Sequence, residues 1–215
     1  MAPNVAALVR LMLVTDDRLM AGRDLVALAR EAVAGGATSV QLRLNQASPR
    51  EQVALARTLV ATLTVPVLVN DRPDVAIAAG AAGVHLGPDD LPVARARAIA
   101  PPGFVIGASV GSVDEAAGAQ AADYWGIGPW RVTTTKADAG DGLGPEGFAR
   151  LVGLSGGRPC LAIGAVRPED WPAVRAAGGS GVAVVSGILA TADVRGATAS
   201  YAERMFQYRS SYESP

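Results

Sequence analysis

Polar residues of unusual type stand at the ends of short apolar runs in this 215-residue chain. Gln41, Arg43 and Asn45 close one such run with a spacing of two, so in an extended strand all three point to one side. If that side is the interior of a barrel, an Arg or Gln there is costly unless paired, which disfavours a plain core role. Asn70 and Asp71 close the next run, and His85-Leu86-Gly87-Pro88-Asp89-Asp90 ends the one after. Two carboxylates converging from adjacent loops, Asp71 and Asp90, suit a Mg²⁺ ion that keeps most of its waters and shares its load with substrate phosphates. Taken singly, Asp71 could equally start a turn and Asp90 cap a helix. Arg72 and Asp89 read as solvated or structural neighbours, and His85 as a packing residue.

Three further stretches point to phosphate. Gly126-Ile127-Gly128-Pro129-Trp130-Arg131-Val132-Thr133-Thr134-Thr135-Lys136 carries hydroxyls and the only Lys of the chain, set against eighteen Arg. Hydroxyls that donate and a compact ammonium suit a polyphosphate; a solvated polar loop is the other reading. Gly164-Ala165 and Ser186-Gly187 follow two later runs, where backbone N–H groups and a helix start can cradle a phosphate.

The elements that must position these residues are legible as a repeat. Strands are expected at Leu11–Thr15, Ser39–Leu44, Val65–Asn70, Gly83–Leu86, Phe104–Ala108, Tyr124–Ile127, Leu161–Gly164 and Gly181–Val185. Most are apolar without polar alternation, as parallel strands buried on both faces are. Amphipathic segments lie between them, at Asp24–Ala34, Pro49–Ala61, Asp74–Ala79, Val93–Ala100, Val113–Ala122, Pro145–Val152 and Pro168–Ala177. Starts such as Ser48-Pro49, and Ser112 three residues before Glu115, mark helix N-termini. Eight strands alternating with helices predict a single (β/α)₈ barrel over residues 1–208, with 209–215 as a polar tail. A doubly wound sheet is the competing architecture, but it rarely supplies eight such regular units in so few residues. Because barrel sites are built at the C-terminal ends of the strands, every candidate residue above falls where a site belongs. The longest irregular stretch, Gly128–Gly144, reads as a binding loop.

Composition narrows the partners. The net charge is −1 and there is no basic block, which argues against nucleic acid or an anionic membrane surface. No apolar run is long enough to span a bilayer, and the N-terminus lacks the pattern of a secretory leader. Cys160 is the only cysteine, so no intrachain disulfide can form and a reducing cytoplasm is expected. One His excludes multi-His zinc chemistry. Assembly into a homo-oligomer is left open.

Taken in order, the motifs resemble those of the thiamine phosphate synthase family, which also contains thiazole tautomerase relatives. The resemblance runs through Leu-Val-Thr-Asp at 13–16, Val-Gln-Leu-Arg at 40–43, Val-Asn-Asp-Arg at 69–72, Gly-Val-His-Leu-Gly at 83–87 with Asp90, and Ile-Gly-Ala-Ser at 106–109. It continues through Asp-Tyr at 123–124, Gly-Ile-Gly-Pro at 126–129, Thr-x-Thr-Lys at 133–136, Ala-Ile-Gly at 162–164 and Val-Val-Ser at 184–186.

The resemblance implies Mg²⁺-dependent joining of hydroxymethylpyrimidine pyrophosphate to a thiazole phosphate, with pyrophosphate leaving first. It implies that Gln41 and Arg43 contact the pyrimidine diphosphate, Asn70 the pyrimidine, and Ser109 and Lys136 the pyrophosphate. Arg43, Ser109 and Lys136 would then form the catalytic set. Asp71 and Asp90 would hold the metal, while Thr133, Thr135, the backbone at Ala165, Val185 and Ser186 would hold the thiazole phosphate. The chain departs from the family pattern in three places. Asn45 stands where the family has Lys in the diphosphate site. Trp130-Arg131-Val132 replaces Val-Phe-Pro, so Arg131 is a candidate to restore the missing charge. Ala165 replaces the second glycine of a pair. A tautomerase-like or weakened relative, or a non-catalytic barrel that binds phosphorylated metabolites, are the alternatives.

Overall fold

Eight short strands close on themselves. The computed structural model describes residues 4–20, 22–132 and 142–210. Its strands are β1 (Leu11–Val14), β2 (Ser39–Leu42), β3 (Val67–Asn70), β4 (Gly83–Leu86), β5 (Val105–Val110), β6 (Tyr124–Ile127), β7 (Cys160–Ala162) and β8 (Gly181–Val184). Each pairs in parallel with its neighbour in the chain, and β8 returns to β1 through Leu11↔Val182, Met12↔Ala183 and Leu13↔Val184. Closure decides between the two architectures in favour of the (β/α)₈ barrel.

Helices α2 (Leu25–Ala34), α3 (Pro49–Thr62), α4 (Pro73–Ala79), α5 (Val93–Ile99), α6 (Val113–Gly118), α7 (Gly144–Gly153) and α8 (Trp171–Ala176) cover the strands, with a short α1 (Val5–Leu8) ahead of β1. After β8 come α9 (Ser186–Leu189) and the longer α10 (Val194–Ser210). The expected starts are made: the Ser48 hydroxyl accepts the Glu51 N–H while Glu51 reaches back to Ser48, and Ser112 accepts from Glu115. α10 continues to Ser210, and the rest of the expected tail, 211–215, lies outside the described residues.

Two apolar layers result. The outer one packs alternate strand residues, such as Val40, Leu42 and Val69, against helix residues such as Ala29, Ala56 and Leu59. The inner one fills the barrel with Met12, Val14, Leu68, Val105, Tyr124, Leu161 and Ala183, closed from below by Leu8 and Val9. Tyr124 is accommodated only because a glycine faces it: a Cβ on Gly107 would lie 2.1 Å from the Tyr124 Cζ.

Several strand ends differ from expectation for a local reason. β2 stops at Leu42 rather than Leu44 because a side chain takes over the ladder there: the Arg43 N–H donates to Thr15 Oγ1 at 2.8 Å, and that hydroxyl donates to the Arg43 carbonyl at 3.1 Å. β3 begins at Val67, after Pro66, which has no N–H to pair. β5 runs on to Val110, so Ser109 sits inside a strand.

Candidate active site

The first cluster lies at the C-terminal ends of β1 to β4. Arg43 follows β2 and meets Asp16, which follows β1, with Nη2–Oδ2 at 2.7 Å. Burial alone would raise the Asp16 carboxyl, but Arg43 and the N–H groups of Leu19 and Arg18 hold it below the usual carboxylate range. The Arg43 Nε is buried and has no hydrogen-bond partner among the described residues. A guanidinium N–H in that state costs free energy until an acceptor reaches it. Gln41, also on β2, is buried inside the barrel with Nε2 3.4 Å from the Met12 sulfur. Asn45 is exposed; Asp17 accepts its backbone N–H at 2.6 Å, and Gln52 holds its loop through the Leu44 and Ala47 carbonyls. Asn45 therefore stands apart from its two strand mates.

One strand over, Asn70 ends β3 opposite His85 on β4. Asp71 follows in the left-handed region, with φ 63°, and its N–H donates to the His85 carbonyl at 2.8 Å. A non-glycine residue held there is strained by roughly 1–3 kcal/mol, and such strain collects at functional sites. An open hollow beside it is lined in part by Asn45, Asn70 and Asp71. After β4, Asp90 turns back so that Oδ2 accepts the Gly87 N–H at 2.6 Å. The two candidate metal carboxylates thus follow neighbouring strands. Among the described residues no group of three or more His, Cys, Asp or Glu side chains forms a ligand set. The donor chemistry is hard carboxylate oxygen, few in number and partly exposed. That fits Mg²⁺ carried largely by water and phosphate oxygens rather than enclosed by protein.

Ser109, near the end of β5, is half-buried, and its Oγ lies 3.0 Å from His85 Nε2. The Nδ1 of the same ring lies 2.9 Å from the Tyr124 hydroxyl. His85 is thus a satisfied interior residue, as expected, but it touches a candidate site residue.

The second cluster follows β6, β7 and β8. Trp130 and Arg131 donate their N–H groups to the Ile163 and Gly164 carbonyls at 2.7 and 3.1 Å, and Leu143 and Gly144 donate back to Pro129 and Trp130. Thr133, Thr135 and Lys136, between these two anchored ends, lie outside the described residues. The Arg131 guanidinium is gripped through both Nη atoms by Asp170, which also accepts the Arg167 N–H at 2.7 Å. Burial would raise the Asp170 carboxyl, yet Arg131 and these other donors lower it. Arg131 is therefore committed to Asp170, and its charge is already matched rather than offered to the Asn45 side of the mouth. Gly164 and Ala165 both adopt positive φ, 96° and 50°. Ala165 holds a backbone conformation that suits glycine, with the strain a Cβ brings there. Val185 and Ser186 lead into α9, where Gly187 leaves room for Tyr201: a Cβ at 187 would meet its hydroxyl at 2.3 Å.

Asp16, Tyr124 and Asp170 were missed as partners of the site. Asp16 was legible in principle, since β1 and β2 are neighbours and Leu-Val-Thr-Asp ends where Arg43 begins. Tyr124 lay inside the Asp-Tyr motif but was given no role, and Asp170 carries no sequence signal of its own, because each becomes relevant only through the barrel register or a loop contact.

A family model described as thiamine monophosphate synthase matches residues 11–188. The chain is 49% identical over 192 residues to the thiamine-phosphate synthase of Azorhizobium caulinodans, covering 86% of this chain and 89% of that protein. It is 40% identical over 200 residues to the thiamine-phosphate synthase of Methanospirillum hungatei, covering 91% and 97%. Among solved structures, thiamine phosphate pyrophosphorylase from Pyrococcus furiosus superposes with a TM-score of 0.84 at 36% identity, over 95% of this chain and 98% of that one. A 3-hexulose-6-phosphate synthase, 17% identical with a TM-score of 0.68 over 91% and 99% of the two chains, shares the barrel alone.

Proposed function

The chain belongs to the thiamine monophosphate synthase family, and from that premise we propose that the barrel mouth binds hydroxymethylpyrimidine pyrophosphate and a thiazole phosphate around Arg43. The protein is an enzyme of thiamine biosynthesis that performs the condensation giving thiamine phosphate. The observation that carries the reading is the Arg43 guanidinium: Asp16 fixes its Nη2, and among the described residues the buried Nε has no acceptor. It is a preorganised donor for an anion.

In the proposed reaction the bond between the pyrimidine methylene carbon and the diphosphate oxygen breaks, and its electron pair leaves on pyrophosphate. The thiazole nitrogen then gives its lone pair to that carbon, forming the new C–N bond and a thiazolium. Neither step needs a protein nucleophile or a strong base. What they need is positive charge and hydrogen-bond donors already in place as negative charge develops on the leaving group. Arg43, the Ser109 hydroxyl and Lys136 fill that role, with Gln41 also on the pyrimidine diphosphate and Asn70 on the pyrimidine. Asp71 and Asp90 would hold Mg²⁺, which when bound neutralises diphosphate charge. Thr133, Thr135, the Ala165 N–H, Val185 and Ser186 take the thiazole phosphate. Asn45 offers this site a hydrogen bond but no charge.

A tautomerase would need an acid or base, and the one imidazole has hydroxyls at both ring nitrogens. The compartment proposed is the cytoplasm; among the described residues no helix is long and apolar enough to cross a membrane.

Pure protein supplied with both substrates and Mg²⁺ should produce thiamine phosphate, detected by mass spectrometry. Intact binding of the phosphorylated compounds without product would replace this reading by a binding barrel.

A further inference from the structure

A line of polar side chains crosses the barrel interior and ends at Ser109. It starts at the Met12 sulfur on β1, which can only accept, 3.4 Å from the Gln41 Nε2. Gln41 is felt at the Tyr124 phenol, which it draws down against the larger upward effect of burial. Tyr124 is fully buried, which pushes its phenol up and keeps the O–H in place. A buried O–H needs an acceptor, and His85 Nδ1, 2.9 Å away, is placed to supply it. An imidazole that accepts at Nδ1 carries its proton on Nε2. The Nε2–H then donates to Ser109 Oγ at 3.0 Å. Room for the line is made by glycine: a Cβ on Gly107 would collide with Tyr124, and one on Gly126 would lie 3.0 Å from His85 Cε1.

We propose that His85 is a positioning residue, held as the Nε2–H tautomer by Tyr124, which fills one lone pair of Ser109 Oγ and turns the Ser109 hydroxyl proton toward the diphosphate. The opposite polarity would be harmful. An accepting Nε2 would draw the Ser109 proton to itself and leave only oxygen lone pairs facing an anion. The inference rests on Ser109 being a diphosphate donor, as proposed above.

Two measurements separate the inference from that reading. Because the chain has one His, imidazole ¹⁵N labelling yields two ring nitrogens and no overlap. The intact protein near neutral pH should show a protonated Nε2 and an unprotonated Nδ1. An Nδ1–H tautomer or a doubly protonated ring overturns the proposal.

The second measurement is a double-mutant cycle on kcat/KM. Tyr124→Phe should cost about tenfold when Ser109 is present, less than the ~10²–10³-fold typical of deleting a preorganised donor. In a Ser109→Ala background the same change should cost less than about twofold, because coupled residues are not additive. Equal losses in both backgrounds would make Tyr124 a packing residue and sink the relay. If Ser109→Ala alone leaves kcat/KM unchanged, the diphosphate reading of Ser109 fails even where the tautomer is as stated, and the orienting role falls with it. Should Tyr124→Phe not fold, His85→Gln and His85→Leu form the cycle instead. Gln can accept from Tyr124 and donate to Ser109, so it should retain more activity than Leu, and the gap should close in Ser109→Ala. A gap that persists there contradicts the proposal.

Discussion

The two ends of the barrel treat polar groups in opposite ways. At the N-terminal ends of the strands they are matched to one another. Asp123 takes the Arg97 guanidinium at 2.6 Å and the Ile106 N–H at 2.7 Å, while Arg97 also donates to the Phe104 carbonyl. Arg158 donates to the carbonyls of Ala122, Gln120 and Ser155, and Ser39 closes onto Leu8. At the C-terminal ends the matching is incomplete. Among the described residues, the buried side-chain polar atoms without a partner are Arg43 Nε, just past β2, and Trp171 Nε1, in the first turn of the helix after β7. Among the described residues, the non-glycine residues at positive φ, Asp71 and Ala165, follow β3 and β7. A fold that satisfies its polar groups at one end and leaves strain and open donors at the other has separated stability from binding. The Asp-Tyr motif at 123–124 straddles that boundary, since Asp123 ties the lower rim and Tyr124 reaches the interior.

Mutations can break this contrast. The largest effect is expected from the proposed metal pair: Asp71→Asn or Asp90→Asn should lower kcat by about 10²-fold or more, since a bound metal supplies several kcal/mol of charge stabilisation. Asn tolerates the left-handed backbone at 71, so the melting temperature should move little. Excess chelator should abolish wild-type turnover and added Mg²⁺ restore it; full activity in chelator removes the metal from the account. Next, Lys136→Ala should cost about 2–4 kcal/mol of transition-state stabilisation, with only partial recovery in Lys136→Arg. A change in kcat/KM within about twofold would make that loop a bystander.

At the lower rim, Asp123→Ala should cost about 1–3 kcal/mol of stability, read by denaturant titration, because it leaves the Ile106 N–H and Arg97 without their acceptor. Its kcat should stay near wild type. The smallest effects belong to two of the three departures from the expected family pattern. Asn45→Lys should raise the rate a few-fold by adding the charge that Arg131, tied to Asp170, does not supply. Ala165→Gly should relieve the left-handed residue and raise stability by about 1 kcal/mol or less. A slower Asn45→Lys enzyme, or a destabilised Ala165→Gly, would contradict those readings.

Most of the barrel was legible because parallel strands buried on both faces leave continuous apolar runs, and all eight appear within a few residues of their expected places. The ends were less legible, since β2 stops where the Thr15 hydroxyl replaces the ladder, a contact between different strands. α10 left little periodic signal because polar-bearing residues such as Thr198 and Tyr201 stand on its buried face. For the candidate site, residue type and strand-end position pointed to Gln41, Arg43, Asn70, Asp71 and Asp90, and the structure places these at the ends of β2, β3 and β4. Ser109 was reached only through family resemblance, and its link to His85 depends on β4–β5–β6 register that no local pattern encodes. The suggestion that Arg131 could replace a missing Lys came from a departure from the family pattern, and its ion pair with Asp170, thirty-nine residues on, was not legible there.

The division between the two ends is tested most directly by measuring kcat/KM for thiamine phosphate formation and the melting temperature together, on Asp71→Asn and Asp123→Ala. The account predicts that Asp71→Asn loses turnover and keeps its melting point, while Asp123→Ala keeps turnover and melts earlier. If Asp71→Asn turned over like wild type, or if both variants lost activity only in proportion to lost stability, the C-terminal rim would not be the catalytic face.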